Sequence, residues 1–75
     1  MEINEFIKLF ADQFDETPAT LFEPSAVFKE FAEWNSLSAL SVIAMVDEEF
    51  EKRITGADLR SCNTIHDLFI LVKSK

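Results

Sequence analysis

The segment SLSALSVIAMVDEEF, residues 36–50, decides the fold. Ala39, Val42, Ile43, Val46 and Phe50 recur at the spacing of one helical face. No proline or glycine interrupts them, so the stretch predicts a helix over 36–52. Asn35 and Ser36 stand where an N-cap belongs, and either side chain suits the role. The helix turns acidic toward its end with Asp47, Glu48, Glu49 and Glu51. Lys52 and Arg53 follow, at the end where the helix dipole favours cations.

Working outward, Ile3, Phe6, Ile7, Phe10 and Phe14 predict an amphipathic first helix over 2–14. Pro18 stops it, because the residue before a proline avoids helical geometry. Residues 15–35 then form a long connection that is rich in apolar groups rather than polar ones. Leu21, Phe22, Val27, Phe28, Phe31 and Trp34 are expected to pin it onto the bundle. Within it PSAVFKEFA, residues 24–32, is compatible with a short helix capped by Ser25, and the sequence leaves open whether residues 25–33 form one. Downstream, TGAD (55–58) and TIHD (64–67) both carry a Thr-x-x-Asp start signal, a capping box with Asp for Glu. They predict a short helix over 56–61 and a last helix over 65–73, with Gly56 supplying a permissive turn. The expected fold is all-α: a small bundle of three main helices plus a short one, with a long loop between the first two, in a single domain over 1–75.

Composition agrees and narrows the function. The 75 residues include eight phenylalanines, one tryptophan, one glycine and no tyrosine. Phenylalanine contributes apolar area without a polar group to satisfy. A core of this size leaves a net stability of about 3–5 kcal/mol, and so little material does not favour a deep catalytic cleft. Fourteen acids against seven bases give a net charge of −7. Nucleic acid and anionic membrane surfaces are therefore poor partners, and proteins with basic patches are good ones. The single cysteine, Cys62, fits a reducing compartment and reads as a small buried hydrophobe. The acidic amphipathic start does not resemble a signal peptide, and no apolar run is long enough to span a membrane. These features point to a cytoplasmic protein.

No catalytic residue stands out. A serine nucleophile needs an adjacent base, and the only histidine, His66, belongs to a different helix from Ser36. No Cys/His spacing suggests a metal, and DEEFE lacks the glycine of a calcium loop. Ser36 has a different property. It opens the longest helix, where unpaired N–H groups and the positive dipole end accommodate an attached phosphate.

WNSLSALSVIAMVDEEF (34–50) resembles the signature of acyl carrier proteins: an Asp-Ser-Leu motif at the start of the second helix, then an apolar helix ending in acids and an aromatic. Ser36 and Leu37 match the motif, and Asp47, Glu48, Glu49 and Phe50 match the close. EFIKLFADQF and LFEPSAVFKEFAEW resemble the family's first helix and long loop, and ITGADLRSCNTIHDLFILV its last two helices. The resemblance implies that Ser36, flanked by Asn35 and Leu37, carries a covalent 4′-phosphopantetheine arm added from coenzyme A by a phosphopantetheinyl transferase. The arm's thiol, not Cys62, would hold acyl groups as thioesters. It implies a monomeric carrier of fatty acid, polyketide or related synthesis, serving acyl-transferring and condensing enzymes. Leu37, Leu40, Ala44, Asp47 and Glu48 would form the docking face, the acids steering basic partners. In many relatives the acyl chain folds back into the bundle; the sequence leaves open whether the phenylalanines form or fill such a cavity.

One departure stands beside the motif. Asn35 occupies the position of the family's acid, and Ser38 and Ser41 stand where many relatives have acids. Asparagine caps as well as aspartate, so the loss is one of charge, and it bears on recognition by the transferase. The alternative reading is an unmodified carrier-like interaction module in which Ser36 is only a helix cap.

Overall fold

The computed structural model describes residues 2–75. Four α-helices follow in order: α1 (Ile3–Ala11), α2 (Ser36–Phe50), α3 (Gly56–Ser61) and α4 (Ile65–Ser74). Single 3₁₀ turns at Ala19–Leu21 and Phe28–Glu30 interrupt the long connection. Among the described residues there is no strand, only an isolated antiparallel bridge between Val27 and Thr64. The architecture is a small all-α bundle. No helix among the described residues is long and apolar enough to cross a membrane.

α1 ends before residue 14. The amides of Gln13 and Phe14 turn to the carbonyls of Phe10 and Ala11, three residues back. This tighter turn still delivers Phe14 to the core, where it is buried with Phe6 and Phe10. Phe22, Phe28, Val42, Met45, Val46, Ile54, Leu59, Ile65, Leu68, Phe69 and Val72 complete most of the interior. Cys62 is buried there as well, and burial pushes its thiol pKa up. All eight phenylalanines and Trp34 belong to one connected set of ring contacts, running from Phe69 through Phe6, Phe10 and Phe14 to Trp34. The phenylalanines therefore fill the interior.

The connection is pinned by fewer side chains than expected. Phe22 and Phe28 are buried, and Phe31 and Trp34 pack partly against the core. Leu21 and Val27 are exposed instead. Residues 25–33 form no α-helix, only the single 3₁₀ turn, and Ser25 caps nothing. The reason is backbone pairing. The carbonyls of Pro24 and Ala26 accept from His66 and Ile65 at 2.9 and 3.1 Å, and the Ala26 amide closes a turn on the Glu23 carbonyl at 3.0 Å, so this part of the connection is held against α4 in a turn rather than a helix. Those two bonds satisfy the first amides of α4, and Thr64 Oγ1 takes the third from Asp67 at 3.0 Å.

The caps at 55 and 64 form as the motifs predict. Thr55 and Asp58 make a complete capping box, and so do Thr64 and Asp67. Two details differ from expectation. α2 stops at Phe50 because Glu51 turns left-handed at φ 55°, its amide bonding the Asp47 carbonyl; Lys52 and Arg53 therefore lie beyond the helix. Gly56 has no positive φ and is an ordinary first residue of α3. The left-handed turn falls on Glu51 instead.

A side chain in left-handed geometry is strained by about 1 kcal/mol, and glycine relieves it. Glu51→Gly also removes an anion from the negative end of the α2 dipole. The variant is expected to gain about 1 kcal/mol, a rise of about 4–8 °C in melting temperature for a domain of this size. Thermal unfolding followed by circular dichroism checks this, and an unchanged or lower midpoint contradicts it.

Candidate functional site

Trp34 explains how the start of α2 is held. Its ring meets Phe28 edge-on at 4.9 Å and stacks on Phe14 at 6.4 Å between centroids. Its amide bonds the Phe31 carbonyl at 3.0 Å. The last turn of the connection is thus fastened to the aromatic core immediately before the helix begins.

Glu33 fastens the same turn to the start of the connection, residues 15–17, just beyond α1. Its carboxylate accepts the amides of Asp15 at 3.2 Å and Glu16 at 2.9 Å, together with the Thr17 hydroxyl. The Thr17 hydroxyl first, then the two amides against a counteracting loss of solvent, hold the Glu33 pKa below the ordinary carboxylate value. Asp58 and Asp67 are lowered too. The dominant causes are the Thr55 amide for Asp58 and the Thr64 amide for Asp67, with the Lys75 side chain also acting on Asp58.

The helix cap is Asn35, not Ser36. Asn35 Oδ1 accepts the Ser38 amide at 3.0 Å from an extended backbone. Ser38 turns its own hydroxyl to the Glu33 carbonyl. Ser36 is the first residue of the helix proper and is exposed. Among the described residues its hydroxyl has no hydrogen-bond partner, and neither do the amides of Ser36 and Leu37. The first amides of α4 are all engaged by protein groups, whereas these two at α2 face water.

Ser36 lies at the lip of an open groove of about 770 Å³. Asn35, Ser36, Ala39, Leu40 and Ile43 form the α2 wall; Gly56, Leu59 and Arg60 of α3 form the opposite one. Trp34 and Lys29 complete it from the connection. Lys29 Nζ donates to the Arg60 carbonyl, joining connection to α3. Lys29 and Arg60 come from residues far apart in sequence, and no local pattern marked either. His66, the only imidazole, is exposed and is not among the lining residues.

Of the expected site residues, the groove brings together Asn35, Ser36 and Leu40. Leu37, Ala44, Asp47 and Glu48 do not line it; they are exposed along α2. Among the described residues, Leu37 at 74% and Leu40 at 61% exposure are the two most exposed large apolar side chains. The helix thus presents exposed apolar groups at its start and exposed acids at its end. No protein-family model, no curated protein and no solved structure matches the chain.

Two tests follow from this geometry. Asn35→Ala is expected to lose about 1 kcal/mol, the worth of an N-cap, while Ser36→Ala stays within about 0.5 kcal/mol as an exposed substitution. Urea unfolding of both variants measures it; equal losses contradict the assignment of the cap. The second test concerns pH. The folded-state pKa of Glu33 is lowered, so its tether is intact above the ordinary carboxylate pKa and is lost as pH falls through the lowered value. Hydrogen-exchange protection of the Asp15 and Glu16 amides should fall in that acid window. Glu33→Gln should show weak protection already at neutral pH. Protection independent of both changes contradicts the tether.

Proposed function

We propose that this protein is an acyl carrier protein, holding acyl intermediates on a phosphopantetheine arm attached to Ser36. The observation that carries the reading is that Ser36 is exposed and relieved of capping by Asn35, at the lip of a groove. A serine that served only as a cap would spend its oxygen on a backbone amide; here Asn35 does so. The helix order, with a long connection before α2 and a short α3, is the one the resemblance implies.

The residues present suit such a group. The free amides of Ser36 and Leu37 and the positive end of the α2 dipole favour a phosphodiester at this position. No acidic residue lines the groove beside it. When attached, the arm supplies a terminal thiol that holds an acyl group as a thioester. The chain's own part is to present Ser36 to a transferase and α2 to partner enzymes. Leu37 and Leu40 offer exposed apolar contact, with Ala44 continuing the face. Asp47 and Glu48 supply the charge that steers partners with basic patches. The acyl-transferring and condensing enzymes of fatty acid, polyketide or related synthesis are partners of this kind, and visiting them suits a monomer.

The unmodified interaction module is the second reading. Asn35, in place of the family's acid, and the exposed Leu37 and Leu40 favour it, since that face binds a partner without any arm. Incubation with coenzyme A and a broad-specificity phosphopantetheinyl transferase, read by intact mass, separates the two. The expected result is a gain of one arm in the wild type, faster in Asn35→Asp and absent in Ser36→Ala. Absence of any gain in folded wild type and Asn35→Asp alike favours the unmodified module.

A further inference from the structure

The groove beside Ser36 inverts the electrostatics of the rest of the molecule. The chain carries fourteen acids against seven bases. Yet the groove lining contains two bases, Lys29 and Arg60, and no acid. The remaining lining is largely apolar: Trp34, Ala39, Leu40, Ile43 and Leu59. A surface of this kind complements a molecule with an apolar body and an anionic end.

Both cations are positioned in the site. Lys29 is half-buried, and its bond to the Arg60 carbonyl uses one of its three donor hydrogens, leaving others for a ligand. Arg60 turns its guanidinium back along α3, so that Nη1 lies 3.5 Å from where a Cβ on Gly56 would stand. Among the described residues no carboxylate pairs with either. A guanidinium without a carboxylate partner presents its planar fork to an incoming carboxylate. In the interior the phenylalanine rings lie in contact with one another.

We propose that this groove seats acyl cargo ending in a carboxylate, with Lys29 and Arg60 engaging that end and the α2 and α3 side chains covering the carbon chain. The proposal rests on the carrier reading, because it takes the cargo to be tethered at Ser36. It distinguishes a dicarboxylic acyl thioester from a simple alkyl one of equal length. It also places the cargo on the surface rather than inside the bundle.

The test loads the isotope-labelled protein by transferase from glutaryl- and from pentanoyl-coenzyme A, and compares amide shifts. The glutaryl form should shift Lys29, Gly56, Leu59 and Arg60 more than the pentanoyl form. Added salt should reduce that difference, and Arg60→Gln should largely remove it. Lys29→Gln is made as a second variant, with a melting curve to verify its fold. Equal shifts for the two cargoes, or a difference that survives both substitutions, overturns the proposal while leaving the carrier reading intact. If neither cargo can be loaded onto the wild type or onto Asn35→Asp, the unmodified module is favoured, and free glutaryl-pantetheine decides the groove. Saturable shifts at the same four amides, absent with pentanoyl-pantetheine, uphold its preference for a carboxylate end; no shifts overturn it.

Discussion

Everything in this structure depends on one connected set of aromatic contacts. Phe10 touches Phe6, Phe14, Phe22 and Phe28, and so joins α1 to the long connection. Phe14 continues to Phe31 and Trp34, the residues that lead into α2. Truncating a buried phenylalanine costs about 3–5 kcal/mol, comparable to the entire net stability of about 3–5 kcal/mol for a core this small. The rings therefore do more than fill space. They offset the conformational entropy of fixing an irregular segment that has little regular hydrogen bonding of its own.

Polar groups then decide how that segment lies. Glu33 holds residues 15–17 with three hydrogen bonds, and Pro24 and Ala26 give their carbonyls to the start of α4. These bonds compete with helix formation in the connection. The apolar positions Val27, Phe28 and Phe31 are compatible with a helical face, yet a turn at residues 23–26 that gives its carbonyls to the first amides of α4 satisfies more groups at once. The same arrangement shapes the groove by Ser36, because the connection delivers both Trp34 and Lys29 to it.

The exterior is divided by charge. Acids crowd the end of α2, where Asp47, Glu48, Glu49 and Glu51 are all exposed, while the groove by Ser36 holds only bases among its charged residues. In a chain of net charge −7, long-range attraction of a basic partner and short-range attraction of an anionic ligand can operate on different faces. Screening separates them further, since exposed charges lose influence beyond about 8–10 Å at moderate ionic strength.

The sequence by itself determined the helices and their starts. Periodicity and capping act between residues three or four apart, so the core face of α2 and the two Thr-x-x-Asp boxes are legible without a structure. The N-cap position at Asn35 and Ser36 was legible for the same reason, whereas the choice of Ser36 and of an α2 face as a site came from the resemblance alone. Tertiary structure decided the rest. It chose Asn35 over Ser36 as the cap, put the left-handed turn on Glu51 rather than Gly56, and left Leu21 and Val27 outside the core. It alone paired residues 24–26 with the start of α4 and brought Lys29 to Arg60. Those contacts join positions distant in sequence, and no local spacing encodes them. Their partners become neighbours only after the aromatic core has drawn the chain together.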